Sequence, residues 1–146
     1  MKRILVALDA SPRTSAVLDV ARDLSVRTGA KLVLFRSVGL PTHIDESSVV
    51  HPREPLLDSL QHQAERELAT LAAECPPESI EKTVVHIGIP WESICATAKA
   101  VDADLVVIGS HGVRGLDHVL GTTAAKVVNH ADRSVMVIRD ARRFAA

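Results

Sequence analysis

Two stretches of this chain, Ile4-Leu5-Val6-Ala7-Leu8 and Leu105-Val106-Val107-Ile108, are apolar at every position. A strand with one wet face alternates apolar and polar residues, so an unbroken apolar run needs cover on both faces. Helices packed on either side of a parallel sheet provide that cover. The second run leads into Gly109 and Gly112, where the backbone is free to turn sharply. Gly121, Thr122 and Thr123 then open a helix-sized segment reaching about Ala131. The first amides of such a helix have no intrahelical partner, and its dipole favours negative charge, so it is suited to hold phosphate. Glycines that merely turn the chain fit the spacing equally well.

The remaining chain alternates in the same manner. Ser11-Pro12 offers a cap and a first helical proline, Val17, Val20, Ala21 and Leu24 recur at helical spacing, and Gly29 is placed for a left-handed cap. Lys31 to Ser37 reads as the second strand. Residues 38–55 carry Pro41, Pro52 and Pro55 without apolar periodicity, the pattern of a long loop that either folds over a ligand or stays mobile. Leu57, Leu60, Ala64, Leu68 and Leu71 form the next stripe, with Glu65, Arg66 and Glu67 on its wet side and Pro76-Pro77 as its stop. Thr83 to Ile87 is a strand, Pro90 opens a helix burying Trp91, Ile94, Cys95 and Ala98, and Ser134 to Ile138 is the last strand.

Strands alternating with helices predict an α/β fold, a single doubly wound domain over residues 1–146 with a five-stranded parallel sheet in the order 3-2-1-4-5. The order reverses between strands one and four, which places a ligand crevice where Asp9-Ala10-Ser11 meets Gly109-Ser110-His111-Gly112. A core without Tyr, with only Phe35, Trp91 and Phe144 as aromatics, must be built from Val, Leu, Ile and Ala. Seventeen basic against eighteen acidic side chains lack the excess that nonspecific nucleic-acid binding requires. The start is too short in apolar residues for a signal core, and no run spans a membrane, so a cytoplasmic protein with no membrane partner is expected. Cys75 and Cys95 lack CxxC spacing and read as reduced structural thiols.

Neither GxxxxGK[ST] nor a GxGxxG after the first strand is present, which argues against P-loop and dinucleotide chemistry. Gly109-x2-Gly112-x8-Gly121-Thr122 instead resembles the G-x2-G-x9-G-[ST] pattern of nucleotide-binding universal stress proteins. The resemblance extends to Val6-Ala7-Leu8-Asp9, Gly88-Ile89-Pro90, Ala103 to Gly109 and Ser134 to Ile138, nearly the whole chain. It departs from the family pattern in two places: the glycine spacing is one residue shorter, and Ser134 stands where a proline is common. The resemblance implies an adenine nucleotide alpha hydrolase-like fold and a bound ATP or AMP, with Mg2+ as a possible companion.

Carried over by position, it implies that Ala7, Leu8 and Asp9 lie against adenosine, with the Asp9 carboxylate near the ribose or a water-bridged metal. Val38 and Ile108 would flank the adenine, although both also fit as plain core. Gly109, Gly112 and Gly121 would let amides approach phosphate, Thr122 and Thr123 would add hydroxyls, and His111 would either donate to phosphate or stay solvated. A capping role for Thr122 is compatible with this. Lys126, one turn into the last helix, is read as solvent-facing. The seven histidines form no HxxxH set, so no metal site is expected. Asp117 and His118 are the acid–base candidates near the loop, and no third residue orients them, so efficient catalysis is not expected.

The sequence therefore predicts an adenine-nucleotide-binding stress-response module with slow or no ATP hydrolysis. Two alternatives are a family member that regulates an unknown protein partner without nucleotide, and an ATPase. A homodimer through Ser134 to Ile138 is expected, because an apolar edge strand must be covered and pairing would hide Val135 and Val137.

Overall fold

The computed structural model describes residues 1–39, 53–110 and 121–139. The elements run β1 (Arg3–Ala7), α1 (Thr14–Thr28), β2 (Lys31–Val38), α2 (Arg53–Ala73), a 3-10 turn (Pro77–Ser79), β3 (Ile80–Ile87), α3 (Pro90–Ala100), β4 (Leu105–Gly109), α4 (Thr122–His130) and β5 (Ser134–Ile138). All neighbouring strands pair in parallel, in the order β3-β2-β1-β4-β5. This is the doubly wound sheet expected from the alternation of strands and helices.

Side chains alternate across a strand, so each apolar run contributes to two cores. Ile4, Val6, Leu32, Leu34, Leu105 and Val107 pack on one side with Val17, Leu18 and Ala21 of α1 and Leu68 of α2. Leu5, Val33, Phe35, Val106 and Ile108 pack on the other with Ile94 and Ala98 of α3 and Ala124 and Val127 of α4. Gly29 ends α1 at φ 76°, and its amide donates to the Ser25 carbonyl at 2.8 Å, as a left-handed cap requires.

The start of α1 differs from expectation. The Asp9 carboxylate accepts the Ser11 amide at 2.9 Å, folding residues 9–11 into an Asx turn, and the helix begins at Thr14 with no side-chain cap. Helix α2 begins at Arg53, inside the stretch read as loop, with Pro55 tolerated in its first turn. The rest of that loop and its possible role as a lid lie outside the described residues. Strand β3 starts at Ile80, three residues earlier than expected, because the exposed, charged Glu81 and Lys82 at the sheet edge break the apolar signal.

At the amino ends of the strands, one Asp104 carboxylate oxygen accepts the Lys2 and Arg3 amides at 2.6 and 3.0 Å. Arg3 pairs with Glu81 on β3 and donates to the Val101 carbonyl at 2.6 Å. These amides hold the Asp104 carboxyl below its ordinary range. At the outer edge, Val135 and Val137 of β5 pack against the α3–α4 core, while Met136 is exposed. The side chains expected to be hidden by a partner are thus already partly covered by their own chain. Cys75 is buried, Cys95 half-buried and both are free thiols whose burial raises their pKa, as inert structural cysteines require. Among the described residues, no helix is long and apolar enough to cross a membrane.

Candidate functional site

Ala7 pairs with Ile108, so the carboxyl ends of β1 and β4 lie side by side where the strand order reverses. A cavity of about 250 Å3 opens there. Of the residues read from the sequence, Ala7, Leu8, Asp9, Ile108, Gly109, Thr122 and Thr123 line it. Residues 101 positions apart in the chain are thereby brought to one place by a single strand pairing.

The Asp9 turn is held from three directions. The Leu8 amide donates to the Phe35 carbonyl at 2.8 Å. The Thr14 hydroxyl is 2.6 Å from the Asp9 carbonyl and 3.2 Å from its carboxylate. Arg36 donates through Nη2 to the same carbonyl at 3.1 Å. On the opposite rim, Gly121 precedes the first turn of α4 and no side chain caps the helix. Thr122 therefore does not act as the cap, and both threonines stand at the helix start on the cavity wall.

Three expectations change at this site. Gly109 does not turn the chain: it is the last, buried residue of β4 and pairs with Ile138. Gly121 sits at φ −57°, a conformation open to any residue, so a left-handed backbone is not the reason for glycine there. Val38 ends β2 without lining the cavity, whereas Ser37 does. Neighbouring strand residues point to opposite faces, and Ser37 shares its face with Phe35, so counting from the aromatic would have found it. Gly121 is not among the lining residues. His111 and Gly112, with Asp117 and His118, lie outside the described residues.

Sequence reasoning also missed Thr14 and Val17 on α1, Pro90 and Ile94 on α3, and Ala124 on α4. Val17 and Ile94 were read only as core and Pro90 only as a helix start, since a stripe that packs on the sheet looks the same as one that walls a crevice. The result is a cleft with apolar walls, a carboxylate and hydroxyls at the β1–α1 end, and a helix start with two hydroxyls at the α4 end. Such a cleft suits a ligand with a flat apolar part, a polyol and an anionic end. Lys126 is exposed, as expected, and its Nζ lies 5.6 Å from the centre of the Trp91 ring, which in turn stacks on His130 at 4.7 Å. Among the described residues, no group of three His, Cys, Asp or Glu is placed to hold a metal.

Comparison with known proteins places this architecture. The chain is 29% identical over 139 residues to universal stress protein A homolog 2 of Coxiella burnetii, covering 94% of each chain. The structure of UspA from Lactobacillus plantarum is 28% identical and superposes with a TM-score of 0.75 over 94% of this chain and 97% of that one. The universal stress protein from Archaeoglobus fulgidus in complex with dAMP shares the fold at 21% identity and a TM-score of 0.58, covering 95% of this chain and 98% of that one. The profile of the Universal stress protein family matches residues 1–139. With the fold, the sheet order and this match over nearly its whole length, the chain belongs to the universal stress protein family.

Proposed function

We propose that this protein is an adenine-nucleotide-binding regulatory module that acts by holding ATP or AMP rather than by turning it over. The observation that carries this reading is the cleft at the strand-order reversal. Its apolar walls lie between a carboxylate and a helix start bearing Thr122 and Thr123. At about 250 Å3 it is near the lower end of small-molecule sites, roughly 300–1,000 Å3. The dAMP complex of the Archaeoglobus fulgidus relative supports an adenine ligand.

In this reading Ala7, Leu8 and Ile108 pack on the base, and Asp9 binds the ribose hydroxyls directly or through Mg2+. Thr122 and Thr123, with the amides of Gly109, Gly112 and Gly121 and the His111 ring, receive the phosphates. The protein works in the cytoplasm as a homodimer joined along β5. Mass spectrometry of gently denatured protein tests the reading by detecting co-purified nucleotide, and calorimetry with ATP and AMP, each with and without Mg2+, measures affinity. No adenine nucleotide affinity in either form would sink it.

A second reading rests on one specific observation, the shortened spacing Gly112-x8-Gly121. A tighter phosphate loop is also what a family member that regulates a protein partner without nucleotide would carry. The same calorimetry separates the two.

A further inference from the structure

Among the described residues, Arg36 is the only buried charged side chain, at 7% exposure. It lies on β2 between Phe35 and Ser37, both of which line the cavity, and points to the opposite face. There Nη1 pairs with the Glu67 carboxylate on α2, and Nη2 donates to the Asp9 carbonyl at 3.1 Å. The Nε–H has no hydrogen-bond partner among the described residues.

A guanidinium taken out of water with one donor unmet is costly, and its partner Glu67 keeps 43% of its side chain exposed, so an apolar residue in place of Arg36 would leave no buried charge behind. Folding stability thus gives little reason for arginine at this position, which an apolar residue would fill. What the arginine supplies is a planar fork that joins two points an apolar residue cannot join. One prong reaches α2 and the other reaches the turn carrying Asp9.

The geometry points to Arg36 as a positioning residue for the ligand site: aimed by Glu67, it fixes the Asp9 turn, and so the carboxylate that meets the ribose. This rests on the nucleotide reading of the cavity given above. Arg36 touches no ligand in this scheme, and its effect is felt at the nucleoside end, away from the phosphates.

The test is calorimetry of wild type, Arg36→Met, Glu67→Gln and Glu67→Ala with adenosine and with ATP, beside thermal unfolding of each. Arg36→Met fills the same space and should unfold within a few degrees of wild type. Its affinity for adenosine and for ATP should fall by the same factor, about fivefold for one lost hydrogen bond. Glu67→Gln keeps an acceptor for Nη1 and should stay within about twofold of wild type, while Glu67→Ala, which releases the fork, should follow Arg36→Met.

A folded Arg36→Met with wild-type affinity for adenosine refutes the positioning role, as does a loss confined to ATP. If Arg36→Met fails to fold, Glu67→Ala decides alone, and wild-type affinity in it overturns the proposal. A wild type that binds neither ligand removes the nucleotide reading itself, an outcome visible before any variant is made.

Discussion

Removing the hydroxyls of Thr122 and Thr123 separates a phosphate site from a plain helix start. Gly121 occupies the cap position of α4, and no side chain makes a capping bond there, so Thr122→Ala and Thr123→Ala remove no cap. The usual loss on deleting a threonine cap, about 0.5–2 kcal/mol, should therefore be missing. Alanine is the better helix former, and stability should stay within about 0.5 kcal/mol of wild type. If each hydroxyl donates to phosphate, each should contribute about 1 kcal/mol of binding, and the double variant should lose about 2 kcal/mol, roughly thirtyfold in affinity. Calorimetry with ATP and with adenosine, beside thermal unfolding, measures both quantities. The expected pattern is a large loss for ATP, none for adenosine and an unchanged midpoint. Equal losses for the two ligands would place the threonines away from the phosphates. A fall in stability matching the fall in affinity would make the helix start a purely structural feature.

Three further outcomes follow from the packing. Leu68 is fully buried between α2 and the sheet, so Leu68→Ala should cost about 2–5 kcal/mol in chemical denaturation, and a cost under about 1 kcal/mol would show that α2 is not docked as described. The Asp104 carboxyl is held low mainly by the Lys2 and Arg3 amides, so its contribution is present above the unfolded carboxylate pKa and disappears as pH falls through the lower folded value. Denaturation of wild type and Asp104→Asn should accordingly differ at neutral pH and converge under strong acid; a constant gap across that range would contradict it. At the β5 edge Met136 is exposed while Val137 packs inward, so Met136→Lys is the cleaner probe of dimerisation. Light scattering should show it monomeric and wild type dimeric, and a monomeric wild type would end the edge-pairing idea.

The sequence made the frame readable where its signals are local. The continuous apolar runs located β1 and β4, Gly29 marked the end of α1, and the alternation of elements gave the sheet order that sets Asp9 opposite Thr122. It was silent where the deciding contact comes from far along the chain. Arg36 reads as an ordinary charged residue because its partners Asp9 and Glu67 lie 27 and 31 positions away. Helix α1 was misplaced because Asp9 accepts the Ser11 amide and the Ser11 hydroxyl accepts the Arg13 amide, so residues 9–13 form turns and the helix begins only at Thr14. Ser37 was passed over for Val38 by an error of strand phase, which flips a side chain to the other face.

The clasp among Lys2, Arg3, Glu81 and Asp104 lies at the end of the sheet remote from the cavity. It closes β1, β3 and the entry to β4 with polar contacts that owe nothing to the ligand. If the cavity holds the proposed nucleotide, the molecule divides its labour along the strands, with polar contacts closing one end and recognition at the other. Variants that strengthen the amino end should then raise tolerance to heat and leave the affinity expected under the nucleotide reading unchanged. Across a lineage, such an arrangement leaves the crevice free to exchange one ligand for another while the same clasp keeps the sheet together.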